Sequence, residues 1–153
     1  MPNAEQLLQY CLEKPGATLD FPFGEIPACV KVRGKIFAEI YPREGDFKLT
    51  LKCEPILAQV LRSQYPGAVV RGYHCPATMQ AHRNTVHVEQ IAEAELLAMI
   101  DHSYAQVVKG LTRKEREEIT NNFTKSNSRA TIKQADNDIT MCIRITDKLH
   151  LHR

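Results

Sequence analysis

The sequence lacks the features that would assign it at once to several large classes of protein. No run of apolar residues is long enough to cross a bilayer, which excludes a membrane-spanning helix. The first residues carry neither the positive charge nor the apolar stretch of a secretory signal, so we expect a cytoplasmic protein. The 5 cysteines are scattered and never spaced as Cys-x-x-Cys, which argues against a disulfide framework and a zinc knuckle.

Charge of one sign is also scarce, since the net charge is only +2 over 153 residues. This value does not by itself indicate an anionic partner, because phosphate-binding proteins are recognised by a local basic surface. The length suits one well-buried domain or one domain with an appendage, since domains commonly span on the order of 100–200 residues. With 43% hydrophobic and 25% charged residues, the composition is typical of a soluble folded protein.

Hydrophobic periodicity predicts an α+β fold with an antiparallel sheet. Residues 28–41 alternate on both sides of a glycine turn, which predicts a hairpin, whereas the proline-rich and glycine-rich segment 17–27 predicts a packed connection. In chain order the predicted elements are a helix capped by Asn3, strands over residues 28–41 and 47–52, a helix opened by Pro55, strands over 68–71 and 84–88, and a long helix over 92–111.

Residues 1–111 are predicted to form the main domain, and residues 112–153 a C-terminal extension. A capping box at Thr112 predicts a short charged helix through Ile119, and the polar run 120–129 predicts a linker. Alternating apolar residues over 139–145 then predict a C-terminal β-hairpin. Its apolar face needs cover from the main sheet or from a neighbouring subunit, so a homodimer formed through this hairpin is one predicted assembly.

Five motifs follow one another in the order found in one known family. They are "YCLEKPGATLDFPFG", "VKVRGKIFA", "LTLKCEP" with "QYPG", "GYH" with "NTV", and "LLAMIDHSYAQVV". Over roughly residues 5 to 110, the sequence strongly resembles the MmcQ/YjbR family. The resemblance implies a frataxin-like (CyaY-like) fold, with helices packed on one side of the sheet. It also implies DNA binding, because members are proposed to bind DNA with strand hairpins as paired wings. One departure is that Arg83 stands where the family has a tryptophan.

Local clusters of cations match the expectation of wings. Lys31, Arg33 and Lys35 surround the turn at Gly34 and form a basic wing tip. The loop between the two short strands supplies a second group, in which Asn84 is a candidate base-reading side chain and Tyr73 and His74 belong to the scaffold. The predicted nucleic-acid contacts are Lys31, Arg33, Lys35, Arg71, His82, Arg83 and Asn84. Binding is expected to depend mostly on phosphate contacts, with weak sequence specificity.

Other chemistries have less support in the sequence. The spacing of His74, Cys75, His82 and His87 matches no zinc pattern, and Cys75 next to His74 is a poor nucleophile–base pair on an extended chain. The helical glutamates after residue 112 alternate with lysine and arginine, which disfavours an iron-binding ridge. We therefore expect a non-enzymatic DNA-binding protein without metal or cofactor. The alternative is a protein-interaction module that acts through the C-terminal strand pair, with no nucleic-acid role.

Overall fold

Six antiparallel strands form one sheet in the computed structural model, which describes residues 2–125. The strand order across the sheet is β1-β2-β3-β4-β6-β5. The strands are β1 Ala17–Asp20, β2 Ala28–Val32, β3 Lys35–Arg43, β4 Asp46–Lys52, β5 Val69–Arg71 and β6 Arg83–His87. The helices are α1 Ala4–Leu12, α2 Pro55–Gln64, α3 Glu93–Lys109 and α4 Arg113–Lys125, with 3-10 turns at Gln80–His82 and Val88–Gln90. The predicted α+β class and antiparallel sheet are confirmed.

Local sequence signals explain where the first two helices begin. The Asn3 side chain accepts a hydrogen bond from the Gln6 backbone N–H at 2.8 Å, and the Gln6 side chain accepts one from the Asn3 N–H at 3.0 Å, which completes the predicted capping box. At α2, the Glu54 carboxylate accepts bonds from the first N–H groups of the helix, and these bonds lower its pKa. Pro55 follows at the first helical position, as predicted.

The helices cover one face of the sheet. The largest contribution comes from α3, whose Leu96 and Ile100 are fully buried against β3 and β4. Its Ser103 hydroxyl donates a hydrogen bond to the Phe37 carbonyl and accepts one from the Lys52 N–H, so it fastens α3 to two strands. Burial of this apolar surface is the main stabilising contribution to the fold, because apolar burial stabilises by roughly 25 cal/mol per Å².

Two segments differ from their sequence-based predictions. Residues 17–20, predicted to belong to a connection, form the edge strand β1, whose partner β2 supplies its hydrogen bonds. The fourth helix continues to Lys125, so residues 120–125 are helical where a linker was predicted. The buried Ile119 of α4 belongs to the common core, and therefore the packing is continuous across the predicted domain boundary at residue 112. The predicted C-terminal hairpin lies outside the described residues.

The strand register separates an apolar face from a polar one. The helix-covered face carries Val30, Ala38, Ile40 and Leu49 in neighbouring strands. Because side chains alternate along a strand, the next residues form a row on the opposite face. That row consists of Cys29, Glu39, Thr50 and Thr85. We call this second surface the open face, since the described helices all lie on the other side.

Within the described residues, no helix has the length and apolar character needed to cross a membrane.

Candidate ligand-binding site

A cavity of about 650 Å³ lies on the open face of the sheet. Two loops form its walls: the segment before β2, and the segment between β5 and β6. The volume falls within the roughly 300–1,000 Å³ that is usual for small-molecule sites. We call it the open-face cavity. Its floor consists of Ile36, Glu39, Tyr41, Lys48 and Arg83.

Arg83 brings an unsatisfied polar group to this floor. It is the first residue of β6 and its side chain lines the open-face cavity. Within the described part of the chain, the Arg83 Nε is buried and has no hydrogen-bond partner. Such a group destabilises a fold by about 1–3 kcal/mol, and by more where it carries charge. A ligand with an acceptor atom would satisfy this nitrogen.

Glu39 is the second buried charged group on the floor. Glu39 is only 9% exposed, and its carboxylate accepts one hydrogen bond from the Tyr41 hydroxyl at 3.3 Å. Burial raises the pKa of Glu39, while the nearby Arg83 charge and the Tyr41 bond oppose that rise. Among the described contacts, however, no ion pair joins Glu39 to Arg83. The two opposite charges are therefore neighbours that do not satisfy each other.

Aromatic rings line the cavity beside these charges. Tyr73 meets Tyr41 edge to face, with ring centroids 5.6 Å apart and an angle of 88° between the rings. The Lys48 ammonium lies 3.8 Å from the centre of the Tyr73 ring and is bonded to Asp46 at 3.0 Å. Lys48 is thus already held by partners within the chain. The His74 ring packs against Tyr73 with centroids 3.9 Å apart, and both residues, predicted from the sequence to belong to the scaffold, line the open-face cavity.

A tight turn brings the β5–β6 loop close to Arg83. A Cβ atom at Gly72 would lie 2.7 Å from the Cys75 sulfur and 3.0 Å from the Arg83 Cβ, so a larger residue would push the loop outwards. The backbone of His74 is in the left-handed region with φ of 56°, a conformation that is strained for a residue other than glycine. The Tyr73 N–H donates to the Thr85 hydroxyl at 2.7 Å and anchors the loop on β6.

Cys75 is poorly suited to the nucleophilic role considered from the sequence. Burial raises the pKa of its thiol, and Glu39 adds to the rise while Arg83 opposes it. An activated cysteine requires a lowered pKa, because the thiolate is the reactive form. In the described part of the chain, no three His, Cys, Asp or Glu side chains are gathered to hold a metal ion.

The predicted wing tip is engaged in ion pairs. The Lys31 ammonium pairs with Asp20 of β1 at 2.6 Å. The Arg33 guanidinium reaches Glu115 at 3.5 Å and Glu118 at 3.3 Å, both on α4. Arg33 lies outside the strand, since it occupies the turn with φ of 51°. Phosphate would have to compete with these carboxylates for both cations.

The structure buries Asn84, the side chain predicted to read bases. Asn84 lies within β6 and is 2% exposed. Its side-chain oxygen accepts a bond from Arg62 at 2.7 Å, and its amide donates to the Ala58 carbonyl at 3.3 Å. It points to the helix-covered face, because it pairs in register with Leu51 of the core. The side chain therefore ties α2 to the sheet.

The remaining predicted contacts differ in exposure. Arg71 is exposed at the end of β5, and His82 is half-buried in the 3-10 turn that precedes β6. Lys35 is exposed at the start of β3. Burial lowers the pKa of Lys52, and the charges of Arg83 and Lys35 lower it further. Lys35, Lys52 and Arg83 thus form a cluster of like charge, which we call the basic cluster.

Sequence reasoning missed Glu39 and Tyr41 as site residues. Alternation along β3 places both on the face opposite Ala38 and Ile40, where an antiparallel sheet usually meets solvent. Their burial depends on cover by loops whose paths the sequence pattern does not specify. The one available signal was the unusual composition of the β5–β6 loop, which concentrates histidine, cysteine and arginine.

The comparisons with known proteins agree with the sequence motifs. The YjbR family model matches residues 12–106, which is more than half of the chain. Uncharacterized protein YjbR of Escherichia coli K12 is 31% identical over 113 residues, covering 73% of this chain and 92% of that protein. Uncharacterized protein YbdF of Escherichia coli O157:H7 is 30% identical over 116 residues, covering 75% and 92%.

Two crystal structures share the fold. Deinococcus radiodurans protein DR2400 superposes with a TM-score of 0.71 and 27% identity, covering 78% of this chain and 89% of that one. A Pseudomonas syringae protein superposes with a TM-score of 0.54 and 22% identity, covering 67% of this chain and 96% of that one, and shows likeness of fold alone. The prediction made from the motifs is confirmed, and the chain belongs to the YjbR family.

Proposed function

We propose that this protein binds a small organic anion that carries a flat ring, and that the ligand occupies the open-face cavity. The observation that carries the proposal is the buried Arg83 Nε, which has no hydrogen-bond partner among the described residues and lines a cavity of ligand size. A folded protein rarely leaves such a group unsatisfied unless a water, an ion or a ligand completes it.

The charges of the lining favour an anion. Arg43 and Arg83 contribute positive charge and Glu39 contributes negative charge, while Asp46 neutralises Lys48. One positive charge is left over. A ligand anion inside a partly dehydrated cavity interacts with that charge more strongly than it would in water.

The rest of the lining favours a flat, partly apolar ligand. Tyr41 and Tyr73 present aromatic surface near the charged residues, and Phe23, Ile26 and Met79 supply apolar walls. Small-molecule sites commonly combine mostly apolar walls with a few polar groups that orient the ligand. Flat rings pack against aromatic side chains in offset or edge-to-face arrangements.

Binding of defined anions tests this proposal. We would titrate the protein with alpha-naphthyl phosphate, alpha-naphthoate, AMP, GMP, CMP and UMP by isothermal titration calorimetry, with neutral alpha-naphthol as the uncharged comparison. We expect saturable binding of at least one anion, weaker binding of naphthol, and loss of anion binding in Arg83→Met. The matched control is Arg33→Met, which removes a cation outside the cavity and should bind as the unmodified protein does. Failure of every anion to bind would contradict the proposal.

A second candidate function is phosphate-driven DNA binding, as the family resemblance implies. The observation that favours it is the basic cluster: among the described contacts, Lys35, Lys52 and Arg83 have no carboxylate partner within ion-pair distance. Exposed Arg71 and half-buried His82 lie on the strands and turn next to this cluster. Lys31 and Arg33 contribute less in this version, because their carboxylate partners already compensate their charge.

Fluorescence anisotropy of a labelled random-sequence duplex at several salt concentrations tests this second candidate. Lys35→Gln with Lys52→Gln should weaken binding and lower the salt slope by about two, since each phosphate contact contributes about 0.9 to that slope. Lys31→Gln with Arg33→Gln is the matched control and should change binding less. Absence of binding at low salt would exclude DNA contact by the described surface.

We also propose a frataxin-like arrangement of the fold and a cytoplasmic location. The one-sided packing of helices supports the frataxin-like arrangement that the family resemblance implies. A cytoplasmic location is supported by Cys11, Cys29 and Cys53, which are buried as free thiols, as expected in a reducing compartment. The alternative of a homodimer or protein-interaction module formed through the C-terminal strand pair concerns residues outside the described part of the chain.

A further inference from the structure

We infer that the flat ring of the ligand is a nucleobase-type heterocycle, whose edge donates a hydrogen bond to Glu39 and accepts one from Arg83. The inference rests on the proposed function and narrows it to mononucleotides. Two neighbouring floor residues of opposite charge carry the argument, because each requires a different partner.

Glu39 makes the cavity less suitable for a simple carboxylic acid than for a ligand that also carries a hydrogen-bond donor. A carboxylate oxygen of such a ligand could bond to Arg83, but it would then lie beside a second carboxylate on the same floor. Repulsion between the two negative charges would oppose binding of such a ligand. Glu39 is 9% exposed and has a single described hydrogen bond, from Tyr41, although a carboxylate can accept several. A ligand that fits must therefore bring a donor to Glu39.

Arg83, close to Glu39, requires a hydrogen-bond acceptor from the ligand. Its buried Nε is a donor without an acceptor, and it lies near enough to Glu39 to influence the pKa of that carboxyl group. One rigid group that satisfies both must present a donor next to an acceptor along one edge. The edges of nucleobases have this pattern, because ring nitrogens or carbonyl oxygens stand beside N–H groups.

The surroundings suit the other parts of a mononucleotide. Tyr41 on the floor and Tyr73 beside it offer aromatic surface on which a base can stack. Arg43 lines the cavity, is exposed, and has no ion-pair partner among the described contacts. It can bind the phosphate while the base remains over the floor.

The test compares mononucleotides with an aromatic phosphate that lacks a donor–acceptor edge. AMP, GMP, CMP, UMP and alpha-naphthyl phosphate are titrated by calorimetry into the unmodified protein, Glu39→Leu and Glu39→Gln. Leucine removes the acceptor and the charge, whereas glutamine keeps a carbonyl acceptor. Thermal unfolding of each variant establishes that it is folded before its affinity is compared.

We expect at least one mononucleotide to bind about tenfold more tightly than alpha-naphthyl phosphate, as loss of a hydrogen-bond partner in a buried site predicts. Glu39→Leu should weaken that mononucleotide about tenfold, Glu39→Gln should weaken it less, and alpha-naphthyl phosphate should bind as well or better because a repelling charge is gone.

Two other outcomes distinguish the nucleobase inference from the proposed anion binding. If alpha-naphthyl phosphate binds as tightly as every mononucleotide and Glu39→Leu strengthens them all, the nucleobase inference is wrong while the anion site stands. If no anion binds to the unmodified protein, the proposed function fails and the inference fails with it.

Discussion

The two faces of the sheet are formed by the same strands but bury different kinds of side chain. On the helix-covered face, Leu49, Ile100 and their neighbours are fully buried and apolar. On the open face, Glu39 and Lys48 are nearly as buried, but they carry charge and are covered only by loops. Burial on the first face stabilises the fold, whereas burial of charge on the second opposes it unless partners are present. The burial of charge on the open face therefore indicates that a requirement other than stability, such as ligand binding, shapes it.

The largest expected effect comes from breaking the helix-covered face. Ile100→Ala should lower the free energy of unfolding by about 2–5 kcal/mol, because it removes a fully buried side chain and leaves a cavity between α3 and the sheet. Urea unfolding followed by circular dichroism measures the change. The matched variant on the other face is Arg83→Met, which should leave the free energy of unfolding unchanged or raise it, since it removes an unsatisfied buried nitrogen. Equal losses in the two variants would contradict the contrast between the faces.

Asn84→Ala should have the next largest effect on stability. The change leaves Arg62 and the Ala58 carbonyl without their partner between α2 and β6, which corresponds to about 1–3 kcal/mol in the free energy of unfolding. Denaturant unfolding measures the loss. DNA affinity should remain the same, because Asn84 belongs to the helix-covered face, and selective loss of DNA binding without loss of stability would restore the role expected from the sequence.

Arg33→Ala should have a small effect. Its pairs with Glu115 and Glu118 join the β2–β3 turn to α4, but the Arg33 side chain is 45% exposed, and exposed pairs contribute about 0–1 kcal/mol. Thermal unfolding at low and high salt measures this contribution, which should disappear at high salt. A loss of several degrees that persists at high salt would show that Arg33 contributes through packing.

The smallest expected effect is a pH dependence on the open face. Because burial raises the pKa of Glu39 above its ordinary 4.5, the folded protein holds this proton more tightly than the unfolded chain does. The stabilising contribution of the protonated Glu39 is complete below that ordinary pKa. It is lost as the pH rises through the higher pKa that Glu39 has in the folded protein. Melting temperatures from pH 4 upwards should therefore fall more in the unmodified protein than in Glu39→Gln. If the melting temperature falls equally with pH in both proteins, Glu39 is not the group with the raised pKa.

The framework of the fold could be predicted because its signals are local. Asn3 and Pro55 mark helix starts by capping chemistry, and the alternation around Gly34 fixes a hairpin. Strand β1 was missed because a four-residue edge strand has too little alternation to stand out from turn residues. The extent of α4 was missed because the mostly polar residues after Ile119 carry no helical periodicity that distinguishes them from a linker.

The candidate site was predicted only in part for the same reason. The β5–β6 loop was recognisable by its composition, and Arg83 was named as a contact residue. Glu39 lies more than 40 residues away in sequence and joins the site only because the sheet places β3 near the start of β6. Lys31 and Arg33 were chosen from local charge, while the carboxylates that pair with them come from β1 and α4.

The position of a bound ligand on the protein distinguishes the two faces of the sheet most clearly. Nitrogen-15 NMR spectra of the protein titrated with GMP, and with alpha-naphthyl phosphate for comparison, would locate any site by the backbone signals that shift. Binding in the open-face cavity predicts shifts at Glu39, Tyr41, Tyr73 and Arg83, and little change along α3. Saturable shifts confined to the helix-covered face, or no shifts with either anion, would contradict it.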